Sequence, residues 1–150
     1  MSTTDELAKV LKSSRVSDID SYLEGNRGKF VSGRSPFGDF IKEKIKGSGL
    51  KQQDVFLAAD VPERYGYKLL SGEKHTTDRD RIVALCIGAR LGLEETQKAL
   101  KLYGMAELYP KIPRDAVLMI ALNSGCKDVH EVDALLKGHG MEVLSKSSED

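Results

Sequence analysis

The chain has 150 residues, 40% of them apolar, and its 23 Lys and Arg balance 23 Asp and Glu to a formal net charge of zero. That length suits one domain, or one domain with an extension, and the apolar share suffices for a packed core. The balance excludes a strongly basic nucleic-acid binder and an acidic disordered tail, while leaving room for a local patch.

Cys86 and Cys126 are the two cysteines, and they have no paired spacing, so neither a disulfide framework nor a zinc site is expected. The first six residues, Met1 to Glu6, are polar and acidic, unlike a signal peptide. The longest apolar run, Ala116 to Leu122, is far too short to span a bilayer. A reducing cytoplasm and no membrane are the expectation.

Nearly every segment has helical spacing. Thr3 and Glu6 form a candidate capping box for a helix over 4–13 bearing Leu7, Val10 and Leu11. Ser17 caps a second, with Ile19, Tyr22 and Leu23, which Gly25 ends. Pro36 opens a helix with Phe37, Phe40, Ile41 and Ile45 on one face and Lys42, Lys44 and Lys46 on its other side. Gly47-Ser48-Gly49 breaks it. Leu50 to Ala59 follows, stopped by Asp60-Val61-Pro62, with Asp60 suited to turn or left-handed geometry. Pro62 is well placed at the first position of the next helix, which Gly72 ends. Two short helices joined by a tight turn make a helix-turn-helix.

Thr77 is read as the cap of a helix to about Arg90, whose apolar face is Ile82, Leu85, Cys86 and Ala89. Asp80 is its capping partner, and Asp78-Arg79-Asp80-Arg81 a local ion-pair cluster, with Arg114-Asp115 doing the same at its own helix start. Leu93 to Tyr103 is another helix. Arg114 to Asn123, apolar all round, is expected in the middle of the bundle. Asp128 to Lys137 is the last helix, and Met141, Val143 and Leu144 close on the core. No β-alternation or internal repeat appears. The fold class is therefore all-α, with roughly nine helices.

The stretch from about 37 to 90 resembles the lambda-repressor-like (Cro/XRE) helix-turn-helix family. The resemblance rests on Leu50, on Gln52 near the start of the second helix, Val55 three residues on, Val61 in the turn, Leu69 in the reading helix and Gly72 closing it. Segments Arg64-Tyr65-Gly66-Tyr67, Thr77-Asp78-Arg79-Asp80, Leu91-Gly92-Leu93-Glu94-Glu95-Thr96 and Leu108-Tyr109-Pro110 with Arg114-Asp115-Ala116 look like a bacterial transcriptional-regulator subgroup with a helical C-terminal extension. The resemblance implies a helix-turn-helix bundle over 34–92, with an N-terminal helical extension over 1–33, a C-terminal one over 93–144 and a disordered tail at 145–150. It departs from the family at Phe56, usually small, and Gly66, usually aliphatic; the reading is that the phenyl ring fills the space the glycine vacates. Asp60 stands where a glycine is common, and Leu70 where a polar residue is frequent.

The resemblance implies sequence-specific double-stranded DNA binding, with recognition helix 62–71 in the major groove. Glu63, Arg64, Tyr67 and Lys68 face the groove, with Arg64 the base reader because a guanidinium pairs with guanine in two places. Lys51 and Gln52 suit phosphate at the start of the second helix, and Lys74, His75 and Arg79 add backbone contacts. The plain alternative is solvated polar residues on an amphipathic helix pair. Residues 47–81 hold six basic and six acidic residues, while 34–46 contribute a net charge of +2 and the chain after Leu91 one of −3. The basic excess thus lies on the N-terminal side but is small.

No catalytic constellation appears. His75, His130 and His139 are scattered, Cys86 sits on an apolar face, and Cys126 is expected in an exposed turn. No enzyme, metal or cofactor is expected. The reading is a repressor-type regulator, with a homodimer as its assembly and the C-terminal helices stabilising it or offering a partner surface. The alternative is an all-helical protein-interaction adaptor that keeps the fold without binding DNA, favoured by neutral charge and by Glu63 in the reading helix.

Overall fold

Ser35, just ahead of Pro36, starts the first helix in the computed structural model, which describes residues 35–145 and, before them, Ile19. Ser35 Oγ accepts the Gly38 N–H at 2.9 Å, and Pro36 occupies a first-turn position where its missing donor costs nothing. The helix, α1, spans Pro36–Ser48 and stops at Gly49, whose φ of 77° needs no Cβ. The others are α2 (Gln52–Ala59), α3 (Glu63–Ser71), α4 (Arg79–Gly88), α5 (Leu93–Leu102), α6 (Pro113–Asn123) and α7 (Val129–Gly138). The described residues are all-α, with seven helices and no strand. The two helices expected within 1–25 lie outside them, as does the tail from 146. The chain divides into two units, residues 1–33 and 34–150, and all seven helices belong to the second. Among the described residues no helix is long and apolar enough to cross a membrane.

α2 and α3 are joined by a turn built on one unusual residue. Asp60 sits at φ 56°, ψ 44°, in the left-handed region, and lets the Val61 N–H reach the Phe56 carbonyl at 3.0 Å. Pro62 is the N-cap of α3 rather than its first residue, one position earlier than expected relative to the helix start. Gly72 closes α3 at φ 87°.

Packing depends on three helical glycines. A Cβ on Gly38 of α1 would lie 1.7 Å from the Leu70 carbonyl oxygen of α3. One on Gly88 of α4 would lie 2.4 Å from the Val55 oxygen of α2. One on Gly66 of α3 would lie 2.5 Å from Cδ1 and 2.6 Å from Cε1 of Phe56. The first two let backbones meet. The third makes room for a ring that is itself fully buried, which is the arrangement expected for the Phe56 and Gly66 pair.

The central helix is α4, not α6. Arg81 through Gly88 are all buried, because α2, α5 and α7 surround α4. α6 packs mainly on α5 and α7, so only Asp115, Leu118, Ala121 and Leu122 are buried, and Ile120 is 64% exposed. Apolar residues all round a helix do not place it centrally when neighbours cover only one side. α7 starts at an Asp128 cap that accepts the Glu131 N–H, and Leu144 returns to the core beneath it.

Gly66→Ala is expected to destabilise the fold by about 1–3 kcal/mol through overpacking, although alanine is the better helix former by about 1 kcal/mol. The penalty should shrink in a Phe56→Leu background, read as coupling in a double-mutant cycle of urea midpoints. A Gly66→Ile variant as stable as the parent would refute the pairing.

Candidate functional site

One face of α3 is locked and the other is open. Gly66, Leu69 and Leu70 are buried, while Glu63, Arg64 and Tyr67 are exposed and Lys68 is half-buried. The period of the helix does this: positions 63, 64, 67 and 68 fall together, opposite 66, 69 and 70. Tyr67 is not a loose side chain. Its ring meets the Phe56 ring edge-to-face, with centroids 4.9 Å apart at 84°. Lys68 Nζ lies 3.6 Å from the Glu73 carboxylate, so its charge is partly answered within the chain.

The flanking candidates sit at the two ends of the helix pair. Lys51 is the N-cap of α2, in extended geometry and with no side-chain cap hydrogen bond, and Gln52 is the first residue of that helix. Lys74 and His75 are exposed on the segment leaving α3. The Lys74 N–H reaches back to the Lys68 carbonyl at 3.1 Å. The His75 ring stacks on Tyr103, 4.6 Å apart and 12° from parallel.

Arg79 is engaged elsewhere. Its guanidinium donates to Asp115 Oδ1 at 2.5 Å and to the Glu107 carbonyl at 3.3 Å. Asp115, only 1% exposed, also accepts the Tyr109 N–H through Oδ2. A second pair crosses beside it: Arg114 donates from both Nη atoms to the two Asp80 oxygens, each at 2.9 Å, and its Nε to the Glu142 carbonyl. Hydrogen bonding to Asp80 raises the already high pKa of Arg114. The local clusters expected at 78–81 and 114–115 are thus corrected in part: Arg79, Asp80, Arg114 and Asp115 answer one another between α4 and α6. The cap of α4 is Asp78, which accepts the Asp80 N–H, and Thr77 is exposed. Arg81 is buried, with its guanidinium carbon 5.1 Å over the Tyr65 ring.

Lys42 and Lys46 belong to α1, as does Lys44, which is paired with Glu95 at 2.8 Å. That contact holds the Glu95 carboxyl below its ordinary range and the Lys44 ammonium above its own. Sequence reasoning did not single out Gln97. Its amide donates to the Leu108 carbonyl and accepts the Leu108 N–H, clamping the α5–α6 loop. Gln97 lines an open groove with Leu93, Lys101 and Glu107, but its amide is spent on Leu108 and Lys101 is paired with Glu107. Among the described residues no three His, Cys, Asp or Glu converge as metal ligands would.

Cys86 is fully buried in α4, and burial pushes its thiol up to about 12. Cys126 is half-buried rather than exposed, and packs against the core. Comparison with family models, curated proteins and solved structures gives no match to this chain.

Two measurements probe these placements. Asp115→Asn should cost about 3 kcal/mol of unfolding free energy, since it strands Arg79 beside a buried site, whereas Glu73→Gln should stay within about 0.5 kcal/mol. At mildly alkaline pH, iodoacetamide should label Cys126 first and reach Cys86 only as the chain unfolds. Equal rates for the two thiols in the folded protein would contradict the burial of Cys86.

Proposed function

We propose that this chain binds double-stranded DNA, with α2 and α3 acting as a lambda-repressor-like helix-turn-helix and α3 entering the major groove. The observation that carries the reading is the split of α3 into a packed face and an open one that gathers Glu63, Arg64, Tyr67 and Lys68. A reading helix must be held from behind while its front stays free, and the Gly38 and Gly66 contacts supply the hold.

The roles follow from chemistry. Arg64, exposed and on the first turn, offers a fork that suits guanine O6 and N7. Tyr67, exposed beside it, offers a hydroxyl for a phosphate or a base edge. Lys51 and the uncapped start of α2 suit one phosphate, and Lys74 with His75 another at the far end of α3. Arg79 drops out of the interface in this reading, because Asp115 and Glu107 hold it. With so few cations on this face, a single copy binds weakly and with a shallow salt dependence. A dimer on a palindromic site, as a transcriptional regulator of repressor type, makes up the difference.

A second reading, a protein-interaction adaptor, is favoured by one observation: Leu57 of α2 is 79% exposed on a helix pair that also shows Tyr67. An apolar side chain there adds little to phosphate binding and much to a protein interface.

Titration of a labelled random duplex at low salt separates the two. Under the DNA reading, binding is measurable and falls at least about tenfold in an Arg64→Ala, Lys68→Ala variant, while Leu57→Ser changes it little. Absent binding, or binding indifferent to the double substitution, would overturn it.

A further inference from the structure

Between α3 and α4 the chain runs through residues 72–78 without helix or strand. Its local tethers are short-range: Lys74 N–H to the Lys68 carbonyl, Glu73 N–H to Ser71 Oγ, and Asp78 N–H to Thr76 Oγ1. A different tether crosses the molecule. The Thr76 N–H donates to the Tyr103 hydroxyl at 2.8 Å, 27 positions along the chain, and Thr76 itself is buried. The neighbouring His75 lays its ring on the Tyr103 ring. Tyr103 caps the C-terminal end of α5 and meets the Phe37 ring of α1 edge-on, with centroids 5.1 Å apart. Phe37 is fully buried and precedes Gly38, whose backbone touches α3 at Leu70.

One tyrosine of the C-terminal half therefore grips the segment that carries two of the candidate phosphate-binding residues, from the same spot where it seats the helix behind the reading helix. Burial pushes its phenol up, so the group stays a hydroxyl whose oxygen accepts the Thr76 N–H.

We propose that Tyr103 is a positioning residue for the nucleic-acid face: it fixes Lys74 and His75 at the exit of α3, so the C-terminal helices set how that face engages phosphate. This rests on the DNA reading above. Lys74 is held by one short-range bond to the Lys68 carbonyl, and His75 by its stack on the Tyr103 ring. Without the Tyr103 hydroxyl, the buried Thr76 N–H loses its acceptor and the segment loses this hydrogen bond across the molecule, so it is held less closely. A phosphate that the segment no longer reaches keeps its condensed counterion, so fewer ions are released on binding. A purely structural role would leave that number unchanged.

The test is a salt series of anisotropy titrations on a labelled random duplex, with the full chain and four variants. These are Tyr103→Phe, which keeps the ring and removes the hydroxyl, Thr76→Pro, which removes the N–H donor, the Lys74→Ala, His75→Ala pair, and that pair combined with Tyr103→Phe. Tyr103→Phe is expected to weaken binding severalfold and to make the plot of log affinity against log salt shallower by about one. In the Lys74→Ala, His75→Ala background the same change should do nothing further. Unchanged affinity and slope in Tyr103→Phe, or a full additional weakening in the combined variant, would overturn the positioning role while leaving the DNA reading in place. If Tyr103→Phe does not fold, Thr76→Pro, which removes the N–H donor and leaves Tyr103 whole, carries the test: it should also flatten the slope, and an unaltered slope counts against the proposal. No binding by the parent chain at any salt would instead defeat the DNA reading, and this inference with it.

Discussion

The arrangement depends on how closely the helix backbones are allowed to approach. At Gly38 and Gly88 the space a Cβ would need is taken by carbonyl oxygens of Leu70 and Val55, so α1 lies against α3 and α4 against α2 with nothing between them. Backbone cannot swing aside as a side chain can. Once these approaches are set, α3 has one possible buried face, and Leu69 and Leu70 must point inward. The open face of α3 is thus a by-product of packing behind it. The Phe56 ring fixes the remaining freedom by lying where a Gly66 side chain would have been.

A second constraint binds the two halves of the described unit. Arg79 and Asp80 open α4, Arg114 and Asp115 open α6, and each arginine reaches the other helix's aspartate. The backbone carbonyls of Glu107 and Glu142 and the Tyr109 N–H complete the cluster. Buried ion pairs are weak evidence of net stability, since desolvation offsets much of their attraction. They are strong evidence of register: neither helix can slide without leaving a charge stranded near Asp115. These pairs tie the end of segment 34–92 to the helices of segment 93–144.

Much of this is legible in the chain. Pro36, Gly49, Asp60, Gly72 and Asp128 mark helix ends by local chemistry, and local chemistry is what a sequence records directly. The Phe56 and Gly66 pair stands out because two departures from a familiar pattern are complementary in volume. The cap of α4 falls one residue later than expected because Thr77 and Asp78 are both good caps, and only the geometry of the preceding turn, with Thr76 tied to Tyr103, decides between them. The crossed ion pairs look local in the sequence because their partners are 34 and 36 positions apart, a distance bridged only by tertiary placement. The exposed side of α6 escapes sequence reasoning for a related reason: composition tells how apolar a helix is, not how many neighbours it has. Gly38 and Gly88 leave a usable trace, each a glycine on the apolar side of a helix, where alanine would ordinarily serve.

The edge-to-face meeting of Phe56 and Tyr67 has an entropic side. A tyrosine on an open helix surface samples several rotamers, and whatever docks there must freeze one of them. Here the freezing is done in advance, because Tyr67 leans on a ring that leans on a glycine. Ordering a rotamer-rich side chain on association costs about 0.5–1.5 kcal/mol. That loss is largely taken during folding, so the exposed ring meets any partner, nucleic acid or protein, already in the shape it will keep.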